Sequence, residues 1–406
     1  MKKKLLSIAV ASVLAAPVAA LAQSSVSISG LVDLGYGTVN APGDVNGVQT
    51  GDVKRVAHNG SATTAIIISG TEQLQPGLKA IFRYEMNPDF NLGSGLTGGA
   101  GATPGTVAGS LAADSIRLGG GANGYSFLGL EGGFGKVLIG RLNSPTLGAW
   151  GVASVFGTAL GSGYAHNGNM FARYAGSTAN YNNTAPTRFN GAVEYTSPTM
   201  SGFTTRILYV PKVDKAGVGT SSGCAQTACT SEELRAIGAN RAGVSDLSLA
   251  YSAGPANLII ASQTINLGTN GMSALVTPTG KTTGKNKLNT IAGNYKIGTT
   301  TANLGWWEEN EKDGPGTQIA KTKGYSVGAT HVMGRFTYRG SIAKSDSTIA
   351  TNVDRSIYGL GVDYELSKRT SLYGRYENRD ADTNTSTDFA ATGSTKTWHA
   401  GVRHTF

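Results

Sequence analysis

The sequence predicts an all-β fold, a closed antiparallel barrel of sixteen transmembrane strands, and three observations support this prediction. Segments of about ten residues, the length of a strand that crosses a membrane, alternate between polar and apolar side chains from residue 25 onward. Short turns rich in Gly, Pro, Asn and Ser alternate with long polar loops. One side of the segments carries charges that a dry core would not accept. We therefore expect that side to face water and the other side to face lipid.

The first 22 residues are predicted to be a secretory signal peptide, which leaves residues 23–406 as the barrel. Three lysines precede a short apolar stretch, and an Ala-Leu-Ala site follows it at residues 20–22. Without those lysines the chain has 31 basic and 25 acidic side chains, so its net charge falls from +9 to +6. This mild basicity, without a recurring basic cluster, gives no support for nucleic acid as a partner.

The alternation has the two-residue period of a β-strand. In the segment RFTYRGSIAK, Phe336, Tyr338 and Ile342 share one side, whereas Arg335 and Arg339 share the other. Sixteen such segments can be counted, and they begin near residues 25, 62, 78, 123, 136, 188, 203, 242, 257, 286, 301, 323, 335, 354, 370 and 395. Their even number, and the alternation of short and long connections, predict short periplasmic turns and long extracellular loops.

The last segment, TKTWHAGVRHTF, ends the chain on an aromatic residue. Trp398 and Phe406 fall on its apolar side, where they are expected to belong to the two interfacial aromatic girdles of a membrane barrel. This segment must pair with the first one, SVSISGLVDLGYG, because an open sheet edge in lipid would leave backbone groups without hydrogen bonds.

The longest predicted loops span residues 87–122, 143–187 and 212–241. Loop 143–187 contains no Asp or Glu, and its uncharged stretch at 147–165 has five glycines, which argues against a membrane-spanning helix. We expect this loop to fold into the barrel. Cys224 and Cys229 lie in the last of the three loops, where a disulfide is favoured and two free thiols are the alternative.

Several stretches, taken together and in order, resemble the general-diffusion porins of Gram-negative bacteria, and in particular the neisserial and β-proteobacterial branch. They are SSVSISGLVDLGYGTV at 24–39, GTEQLQPGLKAIFRYE at 70–85, FLGLEGGFGKVLIGR at 127–141, AVEYTSPTMSGF at 192–203, LSKRTSLYGRYE at 366–377 and the terminal GVRHTF. The resemblance implies a homotrimer in the cell outer membrane, a third loop folded into the lumen and passive passage of small hydrophilic solutes and ions. It also implies contact with outer-membrane lipid and lipopolysaccharide, and recognition of the terminal strand by the barrel-assembly machinery. No cofactor or metal is implied.

In that family, basic residues on the barrel wall face acidic residues on the third loop. Arg188 and Arg141 match wall arginines; strict alternation from Ile139 would aim Arg141 outward, so a bulge or the bend into the loop must turn it inward. The ladder of basic residues is thinned, because three positions where a basic residue is expected are occupied by Ala65, Ser69 and Asn123.

The candidate pore constriction combines basic and aromatic residues, namely Arg83, Arg141, Arg173, Arg188, Trp150, Tyr164 and Phe171. Wall arginines without an acid on the loop predict a positive field and a weak preference for anions. Arg83 has the same parity as Glu85. The alternative for Arg83 is therefore an ion pair with Glu85 that has no net effect on ion selectivity. The aromatic residues either line the passage or merely pack the loop against the wall.

We therefore expect a passive outer-membrane channel. The alternatives are a channel that favours small organic or aromatic acids, which an aromatic loop would suit, and a barrel of another class that acts as an adhesin or receptor through its surface loops. An enzyme is not expected, because the five histidines are isolated in the sequence and no G-x-S-x-G motif accompanies them.

Overall fold

The computed structural model describes eleven parts of the chain: residues 24–41, 51–89, 117–118, 124–157, 159–161, 188–211, 243–266, 283–313, 315–347, 355–381 and 393–406. The predicted signal peptide lies outside these residues and stays a prediction. The same is true of the predicted bond between Cys224 and Cys229.

Sixteen antiparallel strands form the wall, and the second of them consists of two segments. The strands are β1 (Ser25–Ala41), β2 (Gly51–His58 and Ala65–Gln75), β3 (Leu78–Met86), β4 (Ser126–Gly132), β5 (Gly135–Asn143), β6 (Arg188–Thr196), β7 (Phe203–Val210), β8 (Gly243–Ala253), β9 (Ala256–Asn266), β10 (Thr283–Ile297), β11 (Thr300–Asp313), β12 (Gln318–Met333), β13 (Phe336–Ser347), β14 (Arg355–Glu365), β15 (Thr370–Ala381) and β16 (Gly393–Thr405).

The sheet closes on itself because every strand pairs with its neighbours in sequence and β1 pairs with β16. This arrangement confirms the predicted sixteen-stranded antiparallel barrel. The predicted short turns are present as well. Gly77 and Gly254, for example, adopt φ values of 78° and 55° in two of them, a conformation that glycine accepts without steric penalty.

The two faces of the wall differ as the alternation predicted. On β16, the outward Trp398 is 59% exposed, whereas its neighbours Thr397 and His399 are 0% and 3% exposed. Because outward apolar side chains can remain uncovered only in an apolar environment, this outer surface is suited to lipid.

Strand β2 departs from the simple alternation. Its two segments pair with different halves of β1, and residues 59–64 between them leave the sheet. Asn59 marks the departure with a φ of 64°, which is uncommon outside glycine. The start predicted for this strand, near residue 62, therefore omitted its extracellular half.

The seam between β1 and β16 includes the last residue of the chain. Phe406 donates a backbone hydrogen bond to the Gly30 carbonyl and accepts one from the Gly30 N–H, both at 3.1 Å. A Cβ at residue 30 would lie only 2.5 Å from the Phe406 ring, so the glycine makes room for the aromatic side chain. The terminal phenylalanine thus completes the closure of the barrel.

Deletion of Phe406 is expected to reduce the amount of assembled barrel in the membrane roughly tenfold or more, because two backbone hydrogen bonds of about 1 kcal/mol each are lost and the edge is left open. The conductance of the channels that do form should change little. Heat-modifiable gel mobility of membrane fractions measures assembly, and planar bilayers measure conductance.

A matched control for this deletion is Phe203→Ala. Phe203 is 46% exposed against 44% for Phe406, but it lies away from the seam. We expect this variant to assemble at the normal level, and normal assembly of the deletion variant would contradict a role for the terminal residue.

Candidate functional site

The loop after β5 enters the barrel. A helix, α1 (Pro145–Ala153), begins at Ser144, whose side chain accepts a hydrogen bond from the Leu147 N–H, and Pro145 occupies the first helical position, where its missing N–H is not needed. We call residues 144–157 and 159–161 the inward segment. Within the described residues, no helix is long and apolar enough to span a membrane.

The first attachment of the inward segment lies on β8. The Asp246 carboxylate accepts hydrogen bonds from the Thr146 N–H at 3.2 Å and from the Thr146 hydroxyl at 2.9 Å. Gln263 on β9 donates a third hydrogen bond to the same carboxylate at 2.7 Å. Asp246 is 1% exposed, so its charge is used to hold the segment and is not presented to the passage.

Further attachments follow along the wall. The Val152 carbonyl accepts hydrogen bonds from Asn303 on β11 at 2.7 Å and from Asn294 on β10 at 3.4 Å. The Val155 carbonyl accepts one from the Arg339 guanidinium on β13 at 2.7 Å. The wall therefore satisfies backbone carbonyls at and beyond the end of α1 that have no partner within a helix.

The last described part of the segment contacts β13, β14 and β15. The Gly161 N–H donates to the Glu377 carboxylate at 2.7 Å, and its carbonyl accepts from the Ser341 hydroxyl at 3.0 Å. The inward segment thus follows the inner wall from β8 to β15, which confirms that the third loop folds into the barrel.

Aromatic side chains of the segment face the wall. Trp150 is 7% exposed and meets Trp307 of β11 edge to face, with 4.7 Å between the ring centroids. Phe156 is 6% exposed and lies over the Arg375 guanidinium, 5.6 Å from ring centroid to Cζ. These contacts match the interpretation in which the aromatic residues pack the loop against the wall.

Basic residues on the opposite part of the wall form a group around one carboxylate. Glu85 forms an ion pair with Arg83 at 2.6 Å and a longer one with Arg188 at 3.9 Å. The side chains of Arg83 and Arg188 stay 30% and 25% exposed, against 9% for Glu85. The pairing of Arg83 with Glu85, which the sequence left open, is thus present.

Arg141 lies at a register shift between β5 and β6. The register between β5 and β6 shifts between Gly140 and Leu142, and Gly140 has a φ of 152°. The Arg141 guanidinium donates a hydrogen bond to the Asn190 side-chain carbonyl at 2.8 Å. The extra residue lies on β6, because the step from Gly140 to Leu142 on β5 faces the step from Ala192 to Phe189 on β6. Leu138 and Leu142 of β5 belong to the same buried cluster, so the alternation of β5 continues through Arg141, and its predicted inward turn stays a prediction.

Other inward arginines pair with acids on the wall. Arg206 contacts Glu194 at 2.7 Å, and Asp363 contacts both Arg339 at 2.8 Å and Arg375 at 2.6 Å. Sequence reasoning did not single out these residues as a network. The available signal was their shared inward parity, but parity alone does not identify the partners.

A second segment, residues 59–64, also folds inward. The Asp33 carboxylate accepts hydrogen bonds from the Ser61 N–H at 2.7 Å, from the Ala62 N–H at 2.6 Å and from the Tyr373 hydroxyl. The Ser61 hydroxyl accepts one from Arg375 at 3.1 Å. This cluster fills the lumen beside β1, β15 and β16, and no sequence prediction included it.

The remaining predicted constriction residues, Tyr164, Phe171 and Arg173, lie outside the described residues, as does Asn123. Ala65 is 7% exposed, and the Ser69 hydroxyl forms a hydrogen bond with the Ser27 hydroxyl at 3.1 Å. Neither side chain can supply the charge that the family ladder would place there. Of the arginines predicted for the constriction, Arg83, Arg141 and Arg188 lie within the described residues.

A closed barrel with a polar interior, an apolar exterior and an inward segment defines a transmembrane β-barrel channel. A family model described as Gram-negative porin matches residues 9–384. The chain belongs to this family and is an outer-membrane diffusion channel.

Two curated relatives and one solved structure illustrate the similarity. Outer membrane porin protein 32 of Delftia acidovorans is 29% identical over 402 residues, which cover 94% of this chain and 92% of that protein. Major outer membrane protein P.IB of Neisseria gonorrhoeae is 29% identical over 232 residues, which cover 54% of this chain and 51% of that protein. The anion-selective porin from Comamonas acidovorans has a similar fold, with a TM-score of 0.68 and 22% identity, covering 95% of this chain and all (100%) of that one.

Replacement of Asp246 by alanine is expected to detach the start of α1 from the wall, because two hydrogen bonds to Thr146 are lost, at about 1 kcal/mol each. Larger fluctuations of the open-channel current should follow, measured in planar bilayers. The barrel itself should unfold at nearly the same temperature, since its strand pairing is unchanged.

Ser248→Ala is the matched control for this variant. Ser248 lies one inward position further along β8, is 3% exposed and makes no side-chain hydrogen bond to the described residues. It should leave the current noise unchanged, and equal noise in the Asp246 variant would show that this attachment does not hold the segment.

Proposed function

We propose that this porin passes small hydrophilic solutes and ions with a weak preference for anions. The observation that supports the preference is the shared use of Glu85. Two partly exposed guanidiniums, those of Arg83 and Arg188, lie against this single carboxylate, and the inward segment brings no acid of its own. The charge that remains at the wall is therefore positive, and positive rings in a pore favour anions.

The preference should be weak because most inward charges are compensated. Arg206 pairs with Glu194, Arg339 and Arg375 share Asp363, and the carboxylates of Asp246 and Glu377 lie on the same inner wall, so these groups together contribute little net field. The porin from Comamonas acidovorans, whose fold is similar, is described as anion-selective, which agrees in sign with the proposal.

A second function, preferential passage of small organic or aromatic acids, is favoured by one feature of the inner wall. Tyr125 and Phe127 lie beside Arg83, whose Cζ is 5.8 Å from the Tyr125 ring centroid, and both aromatic side chains border a buried apolar cluster. An apolar surface next to a guanidinium suits a solute that combines a ring with a carboxylate.

The assembly that carries this function is proposed to be a homotrimer in contact with lipopolysaccharide, assembled by the barrel-assembly machinery. One related solved structure, OmpT of Vibrio cholerae, is described in a trimer form. We propose no enzymatic role, since the family consists of channels. The rival adhesin or receptor role would depend on the surface loops.

Substitutions of opposite sign test the charge argument. Glu85→Gln should raise the ratio of anion to cation permeability, because it leaves both guanidiniums uncompensated, whereas Arg188→Gln should lower it. Reversal potentials in a salt gradient give the ratio, and shifts of about twofold in each direction are expected for one unit charge in a solvated pore.

The outward, exposed carboxylate of Glu72 on β2 provides the control, and Glu72→Gln should leave the ratio unchanged. A cation preference of the unaltered protein would contradict the proposed selectivity. If neither Glu85→Gln nor Arg188→Gln changes the permeability ratio, the residues around Glu85 do not determine the ion selectivity.

Liposome swelling separates the two transport functions. Flux that falls smoothly with solute size supports simple diffusion, whereas benzoate entering several times faster than a neutral solute of similar size supports the second function. The absence of any flux in liposomes that contain folded barrel would contradict both and favour adhesion.

A further inference from the structure

The outer surface of β10–β13 carries an unusual number of lysines at and beyond the aromatic belt. Trp306 on β11 and Tyr325 on β12 are directly paired and 40% and 47% exposed, as expected for aromatic side chains at a membrane interface. Residues further toward the extracellular ends, spaced two apart, occupy successive outward rows about 6.6 Å apart along the strands. These rows lie where the headgroups of the outer leaflet meet the protein.

Six lysines on the outward face form what we call the outer lysine patch. Lys344 lies in the row of the belt, paired with Tyr325, and the rows further out contain Lys285, Lys287, Lys312, Lys321 and Lys323. Among the described side chains of these rows, the carboxylates are Glu308 and Asp346. Glu308 contacts Lys321 at 3.0 Å and Lys323 at 3.6 Å. With six ammonium groups and two carboxylates, the patch has a net charge of +4.

Two of these lysines face each other without an acid between them. Lys285 and Lys312 are direct cross-strand partners on β10 and β11, and both are exposed. Neither forms an ion pair with any residue that the structure describes. Like charges directly opposite each other destabilise a sheet. An anion bound between the two ammonium groups would remove this repulsion.

The concentration of charge is local. On the outward face at the extracellular ends of the other strands, the charged side chains among the described residues are Lys54, Asp380 and Lys396. A general need for solubility would distribute lysines around the rim, whereas these six occupy four adjacent strands. The arrangement therefore indicates a localised anionic partner.

The outer leaflet of a Gram-negative outer membrane consists of lipopolysaccharide, whose lipid portion carries phosphate groups at the headgroup level. We propose that the outer lysine patch binds these phosphates, with Lys285 and Lys312 sharing one anion. Basic pockets at membrane surfaces bind phosphorylated headgroups in this way. The proposal rests on the outer-membrane location of the barrel and on no assumption about its ion selectivity.

The experiment compares the purified full-length oligomer with its Lys285→Gln/Lys312→Gln variant. Each is titrated in detergent and EDTA with purified lipopolysaccharide and with lipopolysaccharide whose phosphates have been removed chemically. We expect the unaltered protein to bind the phosphorylated form about tenfold more tightly. The double variant should lose about tenfold in affinity for that form, because two surface lysines are removed.

Lys54→Gln/Lys396→Gln is the matched control, since it removes two exposed outward lysines outside the patch. It should bind like the unaltered protein. Gel mobility and single-channel conductance verify that every variant is folded, and conductance should be equal in all of them. Equal affinity of the patch variant and the control, or equal affinity for both forms of lipopolysaccharide, would overturn the proposal.

Discussion

An inward loop without acids has to be fixed by the wall, and this constraint determines most of the lumen. The wall supplies the carboxylates of Asp246 and Glu377 and the amides of Asn294 and Asn303, while the loop contributes mainly backbone groups. Buried backbone groups must find partners, so these side chains hold the segment inside the barrel. Carboxylates that bind the segment do not face the passage. The arginines therefore contribute most of the charge that faces the pore.

The arginines are restrained in turn by their own partners. Arg375 and Asp363 are almost fully buried, with side-chain exposures of 2% and 4%, beneath the ring of Phe156 and beside Ser61. Such a buried pair is weak evidence for net stability. It contacts both inward segments, so the part of the lumen near β14 and β15 is filled by packed side chains. The arginines around Glu85, in contrast, keep a quarter or more of their side-chain surface exposed.

Period-two patterns were sufficient to predict the barrel, its strand number and its closure, because each of these follows from the parity of neighbouring residues. They could not predict the attachments. Thr146 and Asp246 are 100 residues apart in sequence, and Gly161 and Glu377 are 216 apart. The departure of residues 59–64 from β2 was missed for a related reason. It depends on hydrogen bonds to Asp33, which also binds Tyr373, a residue distant in sequence. The ion pair of Arg83 with Glu85 could be suspected, because two residues on one strand with equal parity are always close.

Four wall glycines lie beneath the inward segment. A Cβ added at one of these glycines would lie too close to an atom of the segment. The distance from that Cβ to the segment would be 2.7 Å at Gly305, 2.8 Å at Gly328, 2.3 Å at Gly359 and 2.7 Å at Gly361. Each missing side chain lets the loop lie one methyl group closer to the wall than alanine would allow. The width of the channel therefore depends partly on the absence of a Cβ at these four wall positions. An alanine at any of these four positions would push the inward segment away from the wall and toward the centre of the lumen, with no change in the sequence of the loop.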